Sequence, residues 1–180
     1  AGKLYVRDLF KIYRYENFLY TIELSGTETE RYLEYSCGLW FNRMENPDDH
    51  LLLFRNGESA KPALQHPSYN FDSAAGIRYT VDISEPPGNR VEISGMENGQ
   101  PFDKDKTYKV AVNSYRGSGG GGHLTTGAGI DPGKLPGRII STSSTDFRTL
   151  LMKFIESEKV IHPVPGNNWK VIPAEYYEKG

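Results

Sequence analysis

The sequence has only one cysteine, Cys37, among its 180 residues. One cysteine cannot form an internal disulfide, and a cysteine-based zinc cluster needs more than one thiolate, so both features are excluded. The four histidines are scattered along the chain and show neither His-x-His nor His-Glu-x-x-His spacing. We therefore expect no metal ion and no other cofactor in the chain itself.

Long apolar runs and an excess of one charge are missing as well. The longest apolar runs, such as Leu51–Phe54, are far shorter than the ~20 residues that span a bilayer, so we expect no membrane association. The net charge is -2, whereas a surface that binds DNA or RNA polymers usually has a basic excess. A nucleic-acid polymer is thus not an expected partner, although a single nucleotide is compatible with this charge. The start, Ala-Gly-Lys, predicts no signal peptide within the chain.

Composition and apolar pattern predict one domain of the α+β class. A length of 180 residues with 37% hydrophobic and 24% charged residues is typical of a single globular domain. Strands and helices are interspersed irregularly, which predicts a mixed β-sheet with flanking helices. From the apolar spacing, strands are expected at 18–24, 77–83, 90–94, 108–112 and 169–172, and helices near 6–13, 27–40 and 147–155.

Two helix starts and one long loop are also predicted. Thr27 with Glu30, and Ser143 with Asp146, have the three-residue spacing of a capping box at the start of a helix. The polar stretch 44–70 is broken by prolines, which predicts a long excursion on the surface.

A run of glycines, interrupted only by Ser118, occupies 117–122 after the strand predicted at 108–112. Its letters match the Gly-x-Gly-x-x-Gly dinucleotide fingerprint, but that motif needs a helix directly after it, and the sequence from His123 onward predicts none. No Gly-Lys-Ser/Thr ends the run, so a P-loop is rejected too. Two interpretations stay equal at this point: a backbone that a ligand approaches closely, and a flexible loop without a ligand.

Tyr15 and Tyr115 stand beside loops, one before the first predicted strand and one just after the strand at 108–112. An exposed ring in such a place can stack on a nucleobase, which is worth ~1–3 kcal/mol per base. It can equally cover the edge of the core and keep only its hydroxyl in water. Spacing alone favours the second interpretation.

Catalytic candidates are few. The Asp-Asp-His sequence that ends at His50 lies in a proline-rich loop and is expected to be a solvated turn. Ser118 lacks the Gly-x-Ser-x-Gly elbow, and Cys37 is expected to pack on the inner face of a helix. The residues alone therefore predict no catalytic group in this chain.

Five stretches resemble, in order, the C-terminal domain of the 5'-nucleotidase family. They are Leu9-Phe-Lys-Ile-Tyr-Arg-Tyr-Glu-Asn, Glu23-Leu-Ser-Gly with Tyr32-Leu-Glu, Tyr69-Asn-Phe-Asp with Gly76-Ile-Arg-Tyr-Thr-Val-Asp, Asn113-Ser-Tyr-Arg-Gly-Ser-Gly-Gly-Gly-Gly, and Asn168-Trp-Lys. The resemblance covers nearly the whole chain and implies that residues 1–180 are one such domain. Arg14 stands where the family often has proline, and Gly121 where the 5'-nucleotidase branch usually has an acidic residue. The segment Tyr115-Arg-x-x-Gly-Gly-Gly, together with a Tyr–Tyr pair, is more similar to the bacterial 2',3'-cyclic-nucleotide 2'-phosphodiesterase/3'-nucleotidase branch.

The resemblance implies a binding site for a nucleoside or nucleotide. In the family two aromatic rings sandwich the base, and the matching positions are Tyr15 and Tyr115. An asparagine that bonds the base edge matches Asn17. The resemblance also implies a ligand-binding loop, formed by Arg116, Gly119, Gly120 and Gly121.

The resemblance further implies a partner that carries out the chemistry. The family's catalytic half is a metallophosphoesterase domain with a pair of divalent metal ions, and its motifs Asp-x-His, Gly-Asn-His-Asp/Glu and Gly-His-x-His are absent from these 180 residues. The expected function is nucleobase recognition for a nucleotide-hydrolysing enzyme whose catalytic half lies on the same or a separate polypeptide. Export to the periplasm or cell envelope is implied as well. The alternatives are a stand-alone module that binds a nucleoside or a protein, and an independent hydrolase that uses His50 or His123.

Overall fold

In the part of the chain that the structure describes, six strands form two three-stranded sheets. The structure, a computed structural model, describes residues 2–55 and 63–179. The strands are β1 (Phe18–Ser25), β2 (Ile77–Asp82), β3 (Val91–Met96), β4 (Thr107–Asn113), β5 (Ile139–Asp146) and β6 (Trp169–Ile172). The first sheet has the order β4-β1-β5 with antiparallel pairs only, and in the second, β3-β2-β6, β2 is antiparallel to β3 and parallel to β6. The α+β class with mixed pairing is confirmed, although the strands divide between two sheets.

Helices flank both sheets. They are α1 (Val6–Ile12), α2 (Gly26–Trp40), α3 (Ser114–Gly117), α4 (Leu135–Arg138), α5 (Phe147–Glu158) and α6 (Ala174–Tyr177). The helices predicted near 6–13, 27–40 and 147–155 are confirmed as α1, α2 and α5. In the parts of the chain that the structure describes, none of the helices combines the length and the apolar character needed to cross a membrane.

The strand β5 is the one that the apolar pattern does not predict. Its sequence is Ile-Ile-Ser-Thr-Ser-Ser-Thr-Asp, so no apolar residue follows the first two. It lies at the edge of the first sheet and its middle residues are largely exposed. An edge strand of this kind forms by backbone pairing with β1 and needs no apolar alternation of its own.

Both predicted capping boxes are wrong. The N-cap of α2 is Ser25, whose hydroxyl accepts a hydrogen bond from the Glu28 N–H at 3.1 Å, while the Glu28 carboxylate accepts one from the Ser25 N–H at 2.7 Å. The N-cap of α5 is Asp146, whose carboxylate accepts from the Thr149 N–H at 3.1 Å. In both cases a strand runs directly into the helix, so the last strand residue is the cap.

The helix α2 buries its inner face against the second sheet. Cys37 on this face is 2% exposed and packs in a cluster with residues such as Val81 and Ile83. Burial raises the pKa of the Cys37 thiol to about 12, so the thiol stays protonated and acts as an apolar packing group, as predicted. A second cluster joins Ile22 and Leu24 of β1 to the segment that follows the glycine run.

The excursion predicted at 44–70 is only partly a surface loop. Met44 is completely buried, and its N–H donates to the carbonyl of Ile83 at 2.9 Å. Residues 56–62 of this stretch lie outside the described residues. The remainder is held by short bridges, of which Phe41 with Leu52 is one. The stretch therefore closes one side of the core, a role that its polar composition does not indicate.

Candidate functional site

The antiparallel pairing of β1 with β4 places Tyr15 and Tyr115 on neighbouring segments. The first residues of β1 pair with the last residues of β4, so the segment before β1 and the segment after β4 leave the sheet at the same end. The two segments are also tied directly, because the Phe18 N–H donates a hydrogen bond to the Ser114 hydroxyl at 3.1 Å. Two sequence-distant tyrosines are thus carried by adjacent pieces of backbone.

Both rings lie at the surface. Tyr15 is 44% exposed and Tyr115 is 45% exposed, so neither belongs to the core. The Tyr15 ring packs edge-on against Tyr13 and Tyr69, with centroid distances of 6.4 and 6.1 Å. The Tyr115 ring has the guanidinium carbon of Arg116 5.3 Å from its centroid. Rings that are nearly half exposed fit both interpretations, stacking on a base and covering the edge of the core with the hydroxyl in water.

Asn17 lies between the two tyrosine-bearing segments. Its side-chain N–H donates to the Tyr13 hydroxyl at 2.9 Å, and its side-chain oxygen accepts from the Ser114 hydroxyl at 3.3 Å. Its backbone carbonyl accepts from the Phe147 N–H, which begins α5. Three segments of the chain therefore fix the position of this amide.

Arg116 holds the loops around the tyrosines together from inside. It is 3% exposed, and its guanidinium makes a bidentate pair with Asp72, with N–O distances of 2.6 and 3.1 Å. It also donates to the carbonyls of Gly120 at 3.1 Å and Tyr69 at 3.0 Å, and to the Asn70 side-chain oxygen at 3.3 Å. These bonds use all five N–H donors of a guanidinium. In this arrangement Arg116 shapes the loop, and a direct contact with a ligand stays a prediction.

The glycine run folds into short turns packed against Tyr115 and Arg116. A side chain at Gly120 would bring its Cβ to 2.5 Å from ring atoms of Tyr115. Gly121 has a φ of +74°, and a Cβ there would clash with the Arg116 guanidinium. The backbone of the run is thus approached closely by two protein side chains, an arrangement that neither interpretation of the run includes.

One helical turn follows the glycine run, which the sequence does not predict. His123–Gly127 form a single π-helical turn. The rejection of the dinucleotide fingerprint is unaffected, because that motif needs a complete helix after a strand of a parallel sheet, and β4 is antiparallel to β1.

Asp72 lies in the middle of a polar cluster behind the tyrosines. Its carboxylate accepts from the Tyr32 hydroxyl at 2.6 Å as well as from Arg116. The His123 ring is fully buried, with its Nε2 2.9 Å from the Asn70 carbonyl and its Nδ1 without a hydrogen-bond partner among the residues that the structure describes. Burial, followed by the charge of Arg116, lowers the pKa of His123, so the ring is neutral at pH 7. Burial, followed by the charge of Asp72, raises the pKa of Tyr32.

Comparison with known families identifies the family of the chain. The family model described as "5'-nucleotidase, C-terminal domain" matches residues 1–127. The chain belongs to this family. Two bacterial relatives match nearly the whole of it: the trifunctional nucleotide phosphoesterase protein YfkN of Bacillus subtilis is 29% identical over 97% of the chain, and the 2',3'-cyclic-nucleotide 2'-phosphodiesterase/3'-nucleotidase of Salmonella typhimurium is 29% identical over 96%.

The chain corresponds to a small part of these longer proteins. It spans 12% of the length of the Bacillus protein and 26% of the Salmonella protein. The 5'-nucleotidase precursor from Thermus thermophilus shares the fold, with a TM-score of 0.66, 21% identity, and coverage of 96% of this chain and 29% of that chain. The 5'-nucleotidase C-terminal fold is thus confirmed for this chain.

Within this family fold, sequence reasoning missed the contribution of the 69–72 segment. Tyr69 and Asp72 fall in one of the five matching stretches, but neither was given a role at the site. The signal that points to Tyr69 is the presence of an aromatic residue in a proline-containing loop, outside any predicted strand. The ion pair of Asp72 with Arg116 could not be read from the sequence, because it joins segments that meet only after folding.

No group of three or more His, Cys, Asp and Glu side chains that could hold a metal ion occurs within 2–55 and 63–179. Of the two histidines named as alternatives for hydrolysis, His123 is fully buried and His50 is exposed. A cavity of about 680 Å³ runs along β4 and includes Asp72 and Arg116, but neither Tyr15 nor Tyr115 lines it. Tyr15 and Tyr115 therefore lie outside this cavity.

Proposed function

We propose that this domain binds the base of a nucleoside or nucleotide between the rings of Tyr15 and Tyr115. The observation that carries the proposal is that both rings are nearly half exposed and stand on two segments that the β1–β4 pairing holds side by side. A ring on a fixed backbone segment loses little conformational freedom when it stacks on a base, so more of the stacking energy appears as affinity.

Asn17 is the proposed hydrogen-bond partner of the base edge. A primary amide has two N–H donors and two acceptor lone pairs. One donor is used on Tyr13 and one lone pair on Ser114, which leaves one of each. Base edges carry donors and acceptors side by side, and an asparagine amide can satisfy both at once. The turn formed by Gly119, Gly120 and Gly121 with Arg116 is proposed to bound the ligand beside Tyr115.

The proposed role of this binding is to position a phosphate for hydrolysis elsewhere in the protein. The relatives that match the chain are named as nucleotide phosphoesterases, and the chain spans only a fraction of their length. We infer that a metallophosphoesterase half, on the same or a separate polypeptide, holds a pair of divalent metal ions that activates water. Fixing the base would orient the distant phosphate toward that site and lower the entropic part of the barrier.

Calorimetric titration of the purified domain with adenosine tests the stacking site. Tyr15→Ala and Tyr115→Ala are each expected to weaken binding by about 5- to 150-fold, since stacking is worth ~1–3 kcal/mol per base. The matched control is Tyr177→Ala, which removes a ring that is 53% exposed on α6, next to the second sheet, and should leave the affinity unchanged. All three variants should melt like the wild type, because each ring lies at the surface.

Two results would contradict the proposal that Tyr15 and Tyr115 bind a base. One is a wild-type domain that shows no saturable binding up to millimolar adenosine. The other is unfolding of the Tyr115→Ala variant, which would make Tyr115 a core residue. In either case the stand-alone protein-binding module would become the better account of the exposed tyrosines.

A further inference from the structure

A third exposed tyrosine stands next to the proposed site. Tyr69 belongs to the short turn Ser68–Asn70 and is 57% exposed. Its ring centroid is 6.1 Å from that of Tyr15, with an angle of 69° between the ring planes. This separation is within the 4.5–7 Å of favourable edge-to-face aromatic pairs. The two rings therefore form one angled aromatic surface that faces solvent.

The turn that carries Tyr69 is anchored by buried groups. The Tyr69 carbonyl accepts a hydrogen bond from Arg116 at 3.0 Å, and the Asn70 carbonyl lies 2.9 Å from the Nε2 of His123. Arg116 is 3% exposed and His123 is completely buried. An exposed loop tyrosine is usually free to move with its backbone, whereas here two interior side chains hold the backbone carbonyls of Tyr69 and of the next residue.

Arg116 also links Tyr69 to Tyr115, the second ring proposed to stack on the base. The same guanidinium that binds the Tyr69 carbonyl binds the Gly120 carbonyl, and Gly120 is in close contact with the Tyr115 ring. The positions of Tyr69 and Tyr115 are therefore set by one buried group. A shared anchor of this kind is expected for residues that act on the same ligand, since it fixes their relative placement before binding.

We propose that Tyr69 forms a side wall of the base-binding site and makes the site favour purines over pyrimidines. This inference rests on the proposed function, because it assigns a third contact to the same ligand. A base stacked on Tyr15 meets Tyr69 only if it extends far enough across the Tyr15 ring. The two fused rings of a purine extend farther than the single ring of a pyrimidine, so the contact with Tyr69 adds apolar burial mainly for purines.

Titration of adenosine and uridine against the wild type and Tyr69→Ala tests the side wall. The variant is expected to lose about 2- to 12-fold in affinity for adenosine, the range of an aromatic edge contact, and less than about 2-fold for uridine. Tyr69→Phe keeps the ring and should keep the adenosine affinity. Tyr177→Ala again serves as the exposed-tyrosine control, and thermal melting should be the same for all variants.

The outcomes separate this inference from the proposed function. If the wild type binds no adenosine, the proposed function fails. If the wild type binds, Tyr115→Ala weakens binding and Tyr69→Ala does not, only the side wall is overturned. Equal losses of adenosine and uridine affinity in Tyr69→Ala would also overturn it, because the wall would then not distinguish the size of the base.

Discussion

At the scale of single residues, the pair of Asp72 with Arg116 decides how the loops around the tyrosines are held. The Arg116 side chain is 4% exposed and that of Asp72 is 26% exposed, so the pair is largely removed from water. Burial acts to lower the pKa of Arg116, but the hydrogen bonds and charge of Asp72 raise it overall, and the guanidinium remains charged. A buried charge of this kind is stable only while its partner is present.

Asp72→Asn should therefore destabilise the domain by about 3 kcal/mol, the lower end of the range for breaking a buried pair, since Asp72 keeps some contact with water. The measurement is the free energy of unfolding from urea denaturation. The matched control is Glu45→Gln, which breaks the exposed pair with Arg43 and should cost about 0–1 kcal/mol. If the two substitutions lowered the free energy of unfolding equally, the ion pair of Asp72 with Arg116 would not hold the loops together.

At the scale of elements, the junction between β1 and α2 explains why the predicted cap is wrong. The strand passes into the helix without a loop, and the first helical N–H groups, of Gly26 and Thr27, donate to the carbonyls of Lys106 and Lys104 at 2.9 Å. Thr27 is therefore already inside the helix. The spacing of Thr27 with Glu30 and that of Ser25 with Glu28 are equivalent in sequence, and only the end of the strand distinguishes them.

Ser25→Ala is expected to lower the free energy of unfolding by about 1 kcal/mol, because it removes the side-chain acceptor for the Glu28 N–H. Thr27→Ala, at the residue that the sequence pattern favoured, should lower it by only about 0.5 kcal/mol, because it removes the solvent-exposed hydrogen bond from the Thr27 hydroxyl to the Lys104 carbonyl at 3.2 Å and no helix cap. Chemical denaturation of the two variants side by side measures the difference. A larger loss for Thr27→Ala would restore the sequence-based cap.

At the scale of the whole molecule, the polar cluster behind the site joins the two halves of the fold. Tyr32 on α2 packs against both hydrophobic clusters and donates to Asp72. His123, at the start of the turn after the glycine run, packs against Tyr32 with a centroid distance of 5.0 Å. Global unfolding therefore exposes a histidine that is buried and neutral in the folded domain.

The free energy of unfolding should decrease as the pH falls below about 6.5, the ordinary pKa of histidine in an unfolded chain. The pKa of His123 is lowered in the folded domain, so the unfolded state binds a proton more readily as the pH falls, which stabilises the unfolded state. The stability that the buried, neutral ring contributes to the folded domain is therefore fully present above this pH and is lost below it. His123→Gln should make the pH dependence of the free energy of unfolding shallower below about pH 6.5. Parallel curves for wild type and His123→Gln would contradict the prediction.

The sequence by itself determined the local features of this protein: the class of the fold, most of its helices and strands, the packing role of Cys37, and the placement of Tyr15 and Tyr115 beside loops. Each of these features depends on residues that are close in sequence, within one or two helical turns or a few strand positions. At this range the spacing of apolar residues is enough to predict them. Only the tertiary structure decided that β1 pairs with β4 and that Tyr69 joins Tyr15. Backbone hydrogen bonds between strands are the same for every residue type, so the choice of partner depends on packing across the whole chain, which no local pattern contains.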